Sequence, residues 1–177
     1  MQRSLREFTQ VLVPHVFIPN TSNARRRGLS ERMIKKRLER DGWLVWRGSL
    51  VGAHKDESRY PNVRRKYAIL HELLEQHHPD KISTLEYMCY VHHGIPDLLC
   101  FRKSLFKFVE CKLGHEQLSQ RQKTCIRKLQ ELGFPVEVHK LVDDCTKTRR
   151  ATIDLHSGEK IIHEKQERLR RKYAKRI

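Results

Sequence analysis

The sequence predicts an α/β fold in which a small mixed β-sheet is flanked by helices. Two observations predict it. Segments whose apolar residues recur every three or four positions alternate along the chain with segments that read as strands. Their order is helix, strand, helical insert, strand, strand, helix, strand and then a hairpin, which is that of an α/β sandwich. The 177 residues suit one compact domain with short extensions, and a hydrophobic fraction of 38% supplies a modest core.

Residues 1–27 end in NARRRG and read as a basic N-terminal arm or a loosely packed strand. In GLSERMIKKRLERDGW, Met33, Ile34 and Leu38 share a helical face, with Ser30 placed to cap it and Gly42 to stop it. Trp43 to Arg47 reads as a strand and residues 48–60 as a polar loop. From Pro61 to His78 the steps between Val63, Tyr67, Leu70 and Leu74 are helical, and Pro79 ends the run. ISTLEYMCYVHHG is equally compatible with a short helix and a strand. Residues 98–101 and 106–112 read as two strands.

LSQRQKTCIRKLQELG is the clearest helix. Ser119 and Gln122 form a capping-box pattern, and Cys125, Ile126, Leu129 and Leu132 form the buried stripe before Gly133. PVEVHKLV alternates as a strand. ATIDLHSGEKIIH reads as a hairpin turning at Ser157-Gly158, and the basic tail as a helix or an unstructured arm. The organisation expected is an arm at 1–27, a core at 28–145 with a helical insert at about 53–90, and a hairpin and tail at 146–177.

The formal net charge is +16 and the pI is near 10. Such charge repels itself in a small fold, and a polyanion, above all nucleic acid, would neutralise it. The basic residues cluster: Arg25, Arg26 and Arg27; Lys35 and Lys36; Arg64 and Arg65; Arg121 with Lys123; Arg149 and Arg150; and a tail that includes Arg170 and Arg171. Phosphate contacts from these clusters would be salt-dependent and largely independent of sequence. No apolar run is long enough for a membrane helix. The apolar patch from Val11 to Ile18 contains two prolines and precedes no small-residue cleavage site, which argues against a signal peptide. The five cysteines are odd in number and lack a CxxC pair, which suggests reduced thiols and a cytoplasmic setting.

The chemistry concentrates in GIPDLLCFRKSLFKFVECK, Gly94 to Lys112. If the two strands form a hairpin centred between Lys103 and Ser104, Asp97 faces Glu110 with Cβ atoms roughly 5 Å apart. Two carboxylates so placed repel unless a cation lies between them. Alternation sends Phe106 and Phe108 to the core and brings Glu110 and Lys112 out on the same face at the strand end. Hard oxygen ligands suit Mg²⁺ or Mn²⁺, and a nearby lysine can polarise a water or a phosphate oxygen. Metal-assisted phosphodiester hydrolysis needs this set.

GIPDLLCF, FKFVECK and LSQRQ together resemble the PD-(D/E)XK nuclease superfamily, and within it the VRR-NUC domains and archaeal Holliday-junction resolvases. The resemblance covers about residues 29–142. It implies a restriction-endonuclease-like core, with Asp97, Glu110 and the Cys111 backbone carbonyl as metal ligands and Lys112 as the catalytic lysine. It further implies supporting roles for Glu31 on the first helix and Gln122 on the helix after the lysine, and it places Ser49 near an active-site serine of the resolvases. The implied activity is an Mg²⁺-dependent endonuclease acting on structured or branched DNA in repair or recombination; the alternatives are a nucleic-acid-binding module that keeps the fold without catalysis and an RNA-directed nuclease. A homodimer would supply two sites for two strand cuts. Residues 53–90 depart from the resolvase pattern, which runs almost directly from the serine to the metal-binding aspartate.

His77, His78, His92, His93 and Cys89 match no standard zinc-ligand spacing. No Gly-rich phosphate loop is present, so ATP use is unsupported.

Overall fold

The computed structural model describes residues 6–15, 28–55, 60–91, 94–143 and 148–165. In chain order the elements are β1 (Glu7–His15), α1 (Leu29–Arg40), β2 (Leu44–Arg47), a 3-10 segment (Gly48–Lys55), α2 (Pro61–His77), a 3-10 turn (Pro79–Lys81) and α3 (Ile82–Val91). Then come β3 (Leu98–Arg102), β4 (Leu105–Leu113), α4 (Gln120–Glu131), β5 (Val136–Asp143), β6 (Thr148–Asp154) and β7 (Lys160–Lys165). The seven strands form one mixed sheet in the order β2-β3-β4-β5-β1-β6-β7. Strand β5 runs parallel to both of its neighbours, β4 and β1, and the other pairs are antiparallel. Helix α4 provides the crossover that the parallel β4–β5 pair requires. This is the restriction-endonuclease-like α/β architecture expected from the sequence.

Each face of the sheet has its own core. On one, Phe106, Phe108, Val136 and Val138 pack with Leu70 and Leu74 of α2, Leu85 of α3, and Ile126 and Leu129 of α4. On the other, Val45, Leu98, Cys100, Val109 and Cys111 pack with Ile34 and Leu38 of α1 and with Trp43. The alternation in β4 thus sends Phe106 and Phe108 one way and Val109 and Cys111 the other, as the period of two requires. His77 and His78 are ring partners of this aromatic core: His77 lies 5.4 Å from Phe101 and His78 4.9 Å from Phe134.

Four expectations change. Residues 7–15, read as part of an arm or a loosely packed strand, form an interior strand paired on both edges, with Val11 to Val13 buried. A strand covered on both faces reads as a continuous apolar run, and Pro14 near its end disguised it. Ser30 does not cap α1. Gly28 does, in a left-handed conformation (φ 63°) and without a side-chain hydrogen bond. Residues 48–60, read as a polar loop, open with a 3-10 segment at Gly48–Lys55, and the ambiguous ISTLEYMCYV is helix α3. The last hairpin, β6–β7, is not an appendage, because β6 pairs with β1 and extends the sheet.

Among the described residues no helix is long and apolar enough to cross a membrane. The tail beyond residue 165 and the run Arg25–Arg27 lie outside the described residues.

Candidate active site

The β3–β4 hairpin positions the first carboxylates. Its register pairs Leu98 with Val109 and Arg102 with Leu105, which puts Asp97, one residue before β3, beside Glu110. The turn uses Lys103 and Ser104, both left-handed (φ 48° and 62°), a geometry that matches the twist of adjoining strands. Asp97 Oδ2 accepts the Cys111 backbone N–H at 2.8 Å, and the Asp97 backbone N–H bonds to Glu110. Lys112 Nζ lies 3.2 Å from Glu110 Oε1. Glycines bring the flanking chain close. A Cβ on Gly48 would lie 2.2 Å from the Pro96 carbonyl oxygen, and the Gly48 N–H donates to the Asp97 carbonyl. A Cβ on Gly94 would meet the Arg121 backbone at 3.0 Å, so the approach of GIPD to the start of α4 depends on both glycines.

Burial makes this arrangement electrostatically unfavourable when no cation is bound. Glu110 is held up to about 7 by burial and then by the Asp97 charge, against the pull of Lys112. Asp97 is also raised by burial, opposed by the Cys111 N–H and reinforced by Glu31 and Glu116. Four carboxylates therefore act on one half-buried spot, and Lys112 is the cation that lowers both Asp97 and Glu110. Hard oxygen donors in electrostatic excess fit a divalent cation such as Mg²⁺.

The sequence model of the VRR-NUC domain matches residues 25–142, a span that contains α1 through the body of β5 and all of these groups. The chain belongs to the VRR-NUC family. VRR-NUC domains are of the PD-(D/E)XK nuclease type, so this is a nuclease domain, and the family implies DNA as its substrate. No curated protein matches the chain.

Within the VRR-NUC domain, Gln122 reaches Glu110 from the first turn of α4, Nε2 donating to Oε1 at 2.5 Å. Glu31, half-buried in the first turn of α1, acts on Asp97 and on Cys111 by its charge. Ser49 is exposed at the start of the 3-10 segment. Of the basic residues, Lys36, Arg64, Arg65 and Arg121 are exposed, Lys123 is half-buried, and Lys35 pairs with Glu39 on α1. Arg170 and Arg171 lie outside the described residues.

Sequence reading missed three groups near the site. Glu116 Oε2 accepts the Leu113 N–H at 2.7 Å, and Lys140 Nζ donates to the Glu116 carbonyl at 2.7 Å. Lys140 stands beside Lys112 because the parallel β4–β5 register pairs them. A groove of about 580 Å³ opens here, lined among others by Gln117, Lys123, Lys140 and Lys160. No local pattern announced Lys140 or Lys160, since both arrive through pairings with distant strands.

Lys107, on the other face of β4, takes no part in this site. It is buried against Glu137 Oε2 at 2.8 Å, and the same oxygen meets His139 Nε2 at 2.8 Å. Its ammonium also sits 4.1 Å over the Trp43 ring.

Proposed function

We propose that the chain is a metal-dependent endonuclease that hydrolyses DNA phosphodiester bonds, with structured or branched DNA as its target. The observation that most supports this reading is the pairing of two half-buried to buried carboxylates, Asp97 and Glu110, with Lys112 Nζ 3.2 Å from the latter. In this reading Asp97, Glu110 and the Cys111 carbonyl hold Mg²⁺ or Mn²⁺. Such an ion lowers the pKa of a bound water and stabilises charge on the phosphate.

The chain's own groups divide the remaining work. Gln122 fixes the Glu110 carboxylate, so that its lone pairs face a defined direction. The Lys112 ammonium donates an N–H hydrogen bond to the attacking water or to a phosphate oxygen. Glu31 and Glu116 add negative potential around Asp97, which attracts a cation to the site. Lys123, Lys140 and Lys160 line one groove and would neutralise flanking phosphates. Two copies acting together would cut two strands of a branched substrate.

The test is cleavage of duplex, single-stranded, flapped and four-way-junction DNA, with RNA counterparts, by wild type and Glu110→Ala in Mg²⁺, Mn²⁺ or EDTA. The reading expects cutting that needs the metal, prefers branched DNA and vanishes in the variant while binding survives. Salt-sensitive binding without cutting in any condition would overturn it and leave a nucleic-acid-binding module.

A further inference from the structure

The insert between β2 and β3 gathers three ligand-type side chains from three elements: His54 from the 3-10 segment, His71 from α2 and Glu86 from α3. One ligand atom of each lies within 4.8 Å of the others. Two of them carry a buried polar atom without a hydrogen-bond partner, His54 Nδ1 and Glu86 Oε1. Buried polar atoms are ordinarily satisfied, so two orphans in one cluster point to a shared partner.

The remaining atoms of the cluster are already committed in a way that frees these lone pairs. His54 Nδ1 is buried without a hydrogen-bond partner, so this ring nitrogen is uncommitted. His71 Nε2 lies 3.2 Å from Glu75 Oε1, the carboxylate partner that a metal-binding histidine usually has on its far nitrogen. Glu86 Oε2 is paired with Lys55 Nζ at 2.5 Å, so Oε1 is the oxygen left over.

We propose that His54, His71 and Glu86 bind one Zn²⁺ ion, with a fourth position taken by water, and that the ion ties the three elements of the insert together. Two imidazoles and one carboxylate suit zinc, whereas the all-oxygen set at Asp97 and Glu110 suits Mg²⁺ or Mn²⁺, so the two sites select different metals. The imidazoles stack with centroids 4.0 Å apart and planes 23° apart, so binding requires one ring to turn until the lone pairs converge. The 3-10 segment starts on the Asp97 carbonyl through Gly48, so ordering the insert also steadies the chain that carries Asp97.

The experiment uses the full chain carrying Glu110→Gln, which disables the carboxylate pair, stripped of metal and titrated with Zn²⁺ and Co²⁺. The proposal expects one equivalent of zinc, a rise in melting temperature, and the visible bands of a four-coordinate cobalt site. Adding His71→Asn should remove all three while the metal-free melting temperature stays unchanged, and Glu86→Gln should do the same if the histidine variant does not fold. Glu75→Gln should weaken zinc binding by about 10- to 100-fold. Failure of the Glu110→Gln chain to bind zinc, or retention of the bound equivalent after both His54→Asn and His71→Asn, would overturn the proposal.

Discussion

Gln122 joins helix α4 to the carboxylate pair: its Oε1 accepts the Ser119 backbone N–H at 2.9 Å while its Nε2 donates to Glu110 Oε1 at 2.5 Å. One amide closes the capping box and holds an acid. Gln122→Ala should therefore lower stability by about 1 kcal/mol through the lost cap and also loosen Glu110. Gln122→Glu keeps an acceptor for the cap but sets a further carboxylate directly against Glu110. Urea unfolding should separate the two variants, with the glutamate variant nearer wild type, and its cleavage profile should move to higher pH.

The pH dependence of stability carries a sign set by Glu110. Its carboxyl ionises near 4.5 when unfolded and only near 7 when folded. The native state thus holds more protons between these values, so this group's contribution to metal-free stability falls as pH rises from 4.5 to about 7. Glu137 acts oppositely: bonded by His139 and Lys107, it is held down to about 2, and its contribution is lost as pH falls from 4.5 toward 2. Glu110→Gln should raise stability at pH 8 by roughly 2 kcal/mol and flatten the slope between 4.5 and 7. Thermal melts across pH would sink the assignment if wild type and variant stayed parallel. In wild type, stabilisation by Mg²⁺ should grow as pH rises through 7, because the ion competes with the proton.

The Lys107–Glu137–His139 cluster is buried and distant from the site's chemistry. Glu137→Gln should destabilise by about 3–5 kcal/mol, because it leaves the Lys107 charge uncompensated. Adding Lys107→Met should recover most of that loss. Denaturant midpoints of the two variants decide it, and an unrecovered double variant would mean the cluster has a further role.

Gly48→Ala tests how tightly the insert is tied to Asp97. The added methyl meets the Pro96 carbonyl oxygen at 2.2 Å, a contact that only backbone movement can relieve. A loss of roughly 1–3 kcal/mol is expected, with a fall in cleavage rate beyond what the unfolded fraction explains. Gly42→Ala is the contrast, since its Cβ meets only the Arg102 side chain at 3.9 Å; its cost comes from the backbone (φ 83°) and should leave the cleavage rate alone.

Lys123, Lys140 and Lys160 share one groove, and replacing each with alanine should reduce the salt dependence of DNA binding by about one unit of log–log slope. Filter binding across a salt series measures it. Lys36→Ala, on the exposed face of α1, should change the slope less if the groove carries the backbone.

Much of the site is legible in the chain because its parts are close in sequence. Asp97, Glu110 and Lys112 belong to one hairpin, and its alternation and turn length set which of them face each other. Gln122 is legible for the same reason, since a capping box is complete within four residues. Lys103-Ser104 lacks the Asn-Gly or Asp-Gly signal of a preferred two-residue turn. The structure tolerates two left-handed residues there because the flanking strands demand that twist.

Distant pairings left no such local trace. Strand β1 looked like an arm because a nine-residue run with a proline is ambiguous until β5 and β6 are placed on either side of it. Lys140 comes beside Lys112 only through the parallel crossover over α4, and Lys107 finds Glu137 only through that same register. His54, His71 and Glu86 converge from three separate elements whose spacing matches no ligand motif.

The amino-acid sequence by itself determined the helix and strand periods, the hairpin that opposes two carboxylates, the cap that carries Gln122, and the basic charge suited to a polyanion. These are short-range consequences of side-chain period, turn chemistry and composition. Tertiary structure alone decided that β1 lies inside the sheet, which lysines share the groove, and how far burial lifts Glu110. Those depend on strand order and on exclusion of water, properties that arise only when segments far apart in the chain pack together.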